Sequence, residues 1–287
     1  MKEYFSLIKF SHTIFALPFA LLGFFLATHR LQQGFSWKLF LLVLLCMIFA
    51  RSAAMAFNRY LDRHIDRKNP RTATREIPAG IIRPTSALLF VFFNAGLFIL
   101  TTWFINPLCF FLSPVALLVI LGYSYTKRFT CLCHFVLGLG LSLAPAGAYF
   151  AAGGGLDLLP VLYSAVVLLW VSGFDIIYAL QDEEFDKSLK LSSLPVVLGK
   201  KRALFLSSVL HFFCGVIIIL AGYLSSLQYP SFGWLNWLGT SIFIILLFYQ
   251  HTLVKADDLS KINLAFFTTN GFASLVFGGL FILDLYF

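Results

Sequence analysis

The chain has 287 residues, 60% of them hydrophobic and 12% charged, with 34 Phe. That is too little charge to cover a water-soluble domain of this length, so the apolar surface is expected to face lipid. The net charge of +8 requires no nucleic-acid partner, because anionic lipid and an anionic substrate account for it.

Five Cys and six His form neither a disulfide framework nor a metal pattern. Cys46, Cys109 and Cys214 stand alone in apolar runs, and Cys131-Leu132-Cys133 lacks ligand spacing. They read as small buried apolar residues. Met1–Lys9 leads straight into an apolar run without a small-residue cleavage site, so the first segment is expected to remain as a helix. No Pro- or Ser-rich linker divides the chain, which reads as a single domain over residues 1–287.

Nine spans follow in order, making an all-α integral membrane protein. Residues 10–29 are the first, long enough for a hydrocarbon core of about 30 Å. The second runs from near Lys38 to the polar cluster Asn58–Asp66. Residues 84–126 carry no charge before Lys127 and hold two spans, broken at Asn106-Pro107. The fifth and sixth occupy 129–156 and 158–180. Residues 203–254 again hold two, turning at Gln228–Ser231, and 262–283 form the ninth. With a cytoplasmic N-terminus, 18 of the 21 Lys and Arg fall on the cytoplasmic side. The positive-inside rule selects that orientation, in an inner (cytoplasmic) membrane.

Seven of the thirteen acidic residues fall in two short clusters. Asn58, Asp62 and Asp66 are four residues apart and share one helix face; Asp175, Tyr178, Asp182 and Asp186 are expected to do the same. The clusters close spans two and six, so both open toward the cytoplasm. Carboxylates at helix C-termini are disfavoured by the helix dipole, and at membrane depth each costs roughly 2.5–3.5 kcal/mol. A divalent cation relieves that conflict, and an oxygen-only ligand set points to Mg²⁺. The competing reading pairs these acids locally with Arg63, Arg67 or Lys187. Arg71 in the stretch Asn69–Gly80, and Lys127 after Tyr123, are candidates for gripping phosphate oxygens; the alternative role for such cations is to set topology. Arg51 lies inside span two, about 10 Å deeper than Asn58 at 1.5 Å rise per residue. Either it pairs with Asp175 or it faces the cavity and binds a substrate carboxylate.

These residues resemble the UbiA-type intramembrane aromatic prenyltransferases. Both clusters, the stretch Arg71–Gly80 and Tyr123–Arg128 match in order and spacing over nearly the whole chain. The resemblance implies a helical bundle around a central cavity. It makes Asp62, Asp66, Asp182 and Asp186 the ligands of Mg²⁺ and a polyprenyl diphosphate. Asn58 and Asp175 match further motif positions, Arg71 and Lys127 match basic residues near the diphosphate, and Lys9 stands where many members carry Arg. Tyr123 and Tyr178 join the candidate substrate-binding residues, and Asp175 is a candidate ring base or an orienter of metal ligands. Ser11-His12-Thr13 departs from the Asp-Lys-Pro of the 4-hydroxybenzoate enzymes. Ile8–Thr13 and Gly173–Tyr178 look closer to the members of the futalosine route to menaquinone, whose acceptor is 1,4-dihydroxy-6-naphthoate. The implied reaction is Mg²⁺-assisted ionisation to an allylic cation that the aromatic acceptor traps. A secondary transporter with intramembrane acids, or prenylation of haem, chlorophyllide or a glycerol phosphate, stands as the alternative.

Overall fold

The computed structural model describes residues 2–8, 15–32 and 34–287, and among them every regular element is a helix. In chain order these are α1 (Lys2–Leu7), α2 (Leu17–Arg30), α3 (Trp37–Asp66), α4 (Pro84–Trp103), α5 (Pro107–Thr126), α6 (Cys133–Ala151) and α7 (Leu158–Ala179). There follow α8 (Glu183–Ser188), α9 (Leu194–Leu198), α10 (Lys200–Gln228), α11 (Trp234–Leu253) and α12 (Asn270–Tyr286). A 3₁₀ turn, Leu180–Asp182, joins α7 to α8, and a π-helical segment, Leu264–Thr269, leads into α12.

Among the described residues seven stretches are long and apolar enough to cross a membrane: α3, α4, α5, α6, Leu158–Ser188, α10 and Leu264–Tyr286. The other two expected spans are also helical. Of the first, 14 residues are described as α2; α11 has 20 and carries Asn236, Gln250 and His251 among its apolar residues. The helix starts have local causes. Pro84 and Pro107 open α4 and α5 at the position where a missing N–H costs nothing, and Asn106 Oδ1 accepts the Cys109 N–H at 2.8 Å. Phe92, Phe93, Phe111, Leu118 and Phe205 are exposed, as residues that face hydrocarbon should be.

The chain divides into two compact units. The first comprises residues 1–13 and 36–126, the second 14–35 and 127–287. In the first, α3 packs on α4 and α5, and α1 on α3. Small residues on α3, Ala53 and Ala56, let Leu7 and the loop residues Ile77 and Ile82 close over it.

In the second unit α7 packs on α6 and α10, α2 on α6 and α12, and α11 on α12. Two glycines permit these close approaches. A Cβ on Gly138 of α6 would lie 2.6 Å from the Leu168 carbonyl oxygen of α7, and one on Gly23 of α2 would fall inside the Pro145 carbonyl of α6. Phe19, Trp170, Phe243 and Phe277 fill the interior, with neighbouring ring centroids 5.5–6.2 Å apart. The Trp170 indole N–H reaches Asn270 Oδ1 at 2.7 Å, and Asn270 Nδ2 donates to Gln250 Oε1 and to the π-segment carbonyls of Ala265 and Phe266. Buried amides are thereby satisfied where water is absent.

The end of this unit that carries the α6–α7 loop is tied by polar contacts. Asp284 of α12 accepts the N–H groups of Gly233 (2.9 Å) and Asn236 (2.8 Å), capping α11 from another helix. Asp157 pairs with Arg30 and accepts from Tyr149 Oη at 2.5 Å. Burial works against its ionised form, but the Tyr149 hydroxyl and the Arg30 guanidinium together hold its carboxyl below the usual range.

Candidate active site

The first acidic cluster occupies the last two turns of α3. Asn58 Nδ2 donates to Asp62 Oδ2 at 3.2 Å, the contact that a four-residue step on a helix allows. Asp66, 5% exposed, ends the helix. The following loop folds back on it. The Asn69 carbonyl oxygen accepts from the N–H groups of Thr72 and Ala73, Asn69 Oδ1 accepts from the Arg71 N–H, and Thr72 Oγ1 donates to the Asp66 carbonyl. This turn brings Arg75 Nη1 to 2.7 Å from Asp66 Oδ1. The local pairing to Arg63 is not what forms: Arg63 Nη1 donates to the Tyr60 carbonyl, and its guanidinium lies 4.5 Å over the Tyr60 ring.

The second cluster departs from the expected continuous helix face. The 3₁₀ turn at Leu180–Asp182 tightens the winding between Asp175 and Asp186, so these residues do not follow one α-helical register. Asp182 precedes α8 and Asp186 lies in its first turn. Both therefore lie near the end of the continuous helical stretch Leu158–Ser188. Both are buried, at 9% and 1% exposure. The partner of Asp186 is Lys127, 2.7 Å away, and not the adjacent Lys187. Two backbone bonds clip that arrangement together: Ser192 N–H to the Lys127 carbonyl at 2.8 Å, and Leu191 N–H to the Asp186 carbonyl at 2.9 Å.

Asp175 projects from α7 to His134 of α6, with Oδ2 to Nδ1 at 2.6 Å. Tyr178, one turn further along α7, stacks on Phe266 of the π-helical segment, with centroids 4.1 Å apart and planes at 29°. Lys9 lies outside the described residues. Arg51 is partly buried in α3, and its Nε has no hydrogen-bond partner there. Tyr123 closes α5 within the same unit as Arg51 and Arg71.

Three residues escaped the sequence reading. Arg59, 4% exposed, has Nε and Nη1 without partners and lies in electrostatic range of Asp66 and Glu76. Glu76, 9% exposed, accepts from Ser6 Oγ at 2.5 Å. Both lie in the charge-rich stretch from Arg59 to Arg83, and only burial distinguishes them. His134 is a lone histidine 41 residues from its partner, and nothing in its local sequence marks it.

The donors fit a hard divalent cation. Asp66 Oδ2 is buried without a hydrogen bond, and so are both carboxylate oxygens of Asp186 apart from the Lys127 ion pair. Among the described residues no three His, Cys, Asp or Glu side chains form a ready-made metal cage. Mg²⁺ does not need one, since it takes one or two carboxylates and completes its shell with water and phosphate.

A multi-spanning helical protein with two buried carboxylates, Asp66 and Asp186, each against a basic residue, is of the class that suits an anionic substrate. The profile of the UbiA prenyltransferase family matches residues 16–275. The chain belongs to that family and is a membrane prenyltransferase. It is 31% identical over 245 residues to the 4-hydroxybenzoate octaprenyltransferase of Aeromonas hydrophila, covering 84% of this chain and 83% of that one. The enzyme of the same name from Tolumonas auensis is 29% identical over 251 residues, 85% and 84% of the two chains. A solved UbiA homologue from Aeropyrum pernix superposes with a TM-score of 0.83 at 30% identity, over 95% of this chain and 98% of that one. A homologue from Archaeoglobus fulgidus, solved with GPP and Mg²⁺, shares the fold at TM-score 0.77 and 21% identity, over 99% and 100%.

Proposed function

We propose that this protein transfers a polyprenyl group from its diphosphate to an aromatic acid of the 4-hydroxybenzoate or 1,4-dihydroxy-6-naphthoate type, in quinone biosynthesis, on the cytoplasmic side of the membrane. The observation that carries the reading is the pair of buried carboxylates, Asp66 and Asp186, with unpartnered oxygens and a cation 2.7 Å from each. The curated relatives named 4-hydroxybenzoate octaprenyltransferase and the homologue solved with GPP and Mg²⁺ support it.

Asp62 and Asp66 on α3, and Asp182 and Asp186 beside α8, are the metal ligands of this reading. Bound there, Mg²⁺ supplies positive charge for the departing diphosphate. Asn58 fixes Asp62 through its 3.2 Å hydrogen bond. Arg71, Lys127 and Lys9 hold phosphate oxygens in this reading, and Tyr123 is a further substrate contact. Lys127 is already placed by Asp186. The Tyr178 ring presents an aromatic face where positive charge develops on the prenyl group. Arg51 binds the acceptor carboxylate. As the allylic C–O bond breaks, prenyl C1 bonds to the ring carbon beside the acceptor hydroxyl, and Asp175 takes the proton which that carbon loses.

The test is turnover by purified protein on a panel of aromatic acids with a polyprenyl diphosphate. Product should form with Mg²⁺ and vanish with EDTA, and folded Asp62→Ala and Asp182→Ala variants should be inactive. Full activity in EDTA, or from either variant, would overturn the reading.

A further inference from the structure

We infer that His134 is a positioning residue that holds Asp175 in one orientation, so that its carboxylate is aimed as the base for the ring proton. The inference rests on the role proposed above for Asp175 and goes beyond it by naming the group on which that role depends.

The hydrogen-bond directions are determined by the backbone. His134 is 2% exposed at the start of α6. Its Nε2 lies 3.4 Å from the Leu194 N–H, which can only donate, so Nε2 accepts. The ring proton is therefore on Nδ1, which donates across 2.6 Å to Asp175 Oδ2. Asp175 Oδ2 is the acceptor of this bond. One carboxylate oxygen is committed to the imidazole. Among the described residues the other takes no hydrogen bond, and the side chain is 23% exposed, as a group that must meet substrate requires. The arrangement is that of an acid oriented by a histidine whose far nitrogen is itself fixed.

The surroundings hold the backbone at His134 in place independently of Asp175. Ser172 Oγ on α7 bridges to the His134 carbonyl at 3.2 Å and to the Leu168 carbonyl at 2.7 Å. Gly138, one turn beyond His134, lets α6 approach α7, since a Cβ there would clash with Ser172 Oγ and the Leu168 carbonyl oxygen. The helices thus approach closely where the pair must form. Asp175 is one turn beyond Ser172 on α7, at the spacing that puts both beside α6. None of this is needed to bury a histidine. A purely structural imidazole would be satisfied equally well by a second backbone carbonyl, whereas this one engages a part-exposed carboxylate seven residues before Asp182 on the same stretch of chain.

The experiment compares His134→Leu, His134→Asn and His134→Gln in the purified protein, using whichever aromatic acid the panel shows to be turned over. Asn places an amide N–H where Nδ1 stands; Gln places it where Nε2 stands. His134→Leu should lose on the order of 10²-fold in kcat, the cost of a displaced catalytic group, with KM for the prenyl diphosphate within twofold. His134→Asn should recover most of that loss and His134→Gln little. With acceptor deuterated beside its hydroxyl, the isotope effect on kcat should rise in His134→Leu, because a misplaced base slows proton removal, and a merely structural defect would leave it unchanged. Should His134→Leu fail to fold, the Asn and Gln variants carry the test alone. Equal activity of Asn and Gln, a Leu variant within threefold of the parent kcat, or an unchanged isotope effect overturns the inference. Asp175→Asn separates it from the reading beneath. If that variant turns over normally, the base role falls and this inference with it; if it is inactive while His134→Leu is not, only the positioning role falls.

Discussion

Removal of Lys127 provides a test of how the second acidic cluster is neutralised. Asp186 is 1% exposed and its partner Lys127 is 34% exposed, with 2.7 Å between charged atoms. Breaking a buried pair by deleting one member costs about 3–5 kcal/mol, because the other charge is left without compensation. Solvent reaches a third of the lysine, so the low end, about 3 kcal/mol, applies to Lys127→Met. At about 2 °C per kcal/mol for a chain of this size, that is a fall in Tm of about 6 °C in EDTA. If Asp186 is a Mg²⁺ ligand, the cation replaces the missing ammonium. Mg²⁺ at a hundred times its Kd contributes about 2.7 kcal/mol, nearly the whole loss. Thermal unfolding in detergent, with EDTA and with saturating Mg²⁺, should therefore show a larger Mg²⁺ increment in Lys127→Met than in the parent. Lys127→Met/Asp186→Asn should recover stability in EDTA and lose the Mg²⁺ response. Equal increments in parent and variant, or an EDTA-treated Lys127→Met within 1 °C of the parent, would refute the reasoning.

Arg51→Gln should raise KM for the aromatic acid about 10- to 100-fold, the worth of a charge-assisted hydrogen bond, and leave KM for the prenyl diphosphate nearly unchanged; an unaltered acceptor KM in a stable variant excludes the carboxylate role. In a background lacking the native cysteines, Thr74→Cys and Lys187→Cys should react with a membrane-impermeant maleimide only from the cytoplasmic side, and Gly155→Cys only from the other. Labelling of Thr74→Cys and Gly155→Cys from the same side contradicts the topology. The depressed carboxyl of Asp157 contributes stability that is present above the unfolded value of about 3.9 and lost as pH falls through the folded value. Acid unfolding of Asp157→Asn should accordingly show a shallower loss of Tm below about pH 4 than the parent, and identical acid limbs would contradict the pairing.

Much of the helical framework could be read from local features of the chain. Apolar runs bounded by charge, with Pro at positions 84 and 107 and turns at Asn106 and Gln228–Ser231, place the helices because each cause acts within a few residues. The four-residue step of Asn58, Asp62 and Asp66 also acts locally, and α3 keeps them on one face. Where the winding itself changes, that logic fails. The 3₁₀ turn before Asp182 and the π-helical segment carrying Phe266 shift the register of everything after them, and Asn270, which binds the Ala265 and Phe266 carbonyls of the π-segment, is itself held by Trp170 and Gln250 of other helices.

Partner choice belonged wholly to the tertiary structure. The helical pattern shows that Asp66, Asp175 and Asp186 are acids near helix ends, but not that Arg75, His134 and Lys127 meet them. Nor does it show that Asp284 caps α11 from 48 residues away. A helix dictates which of its residues share a face, since that follows from 3.6 residues per turn. Which neighbour that face meets depends on how closely two backbones approach, and here that distance is set by packing at positions such as Gly23 and Gly138, where any Cβ would force the helices apart.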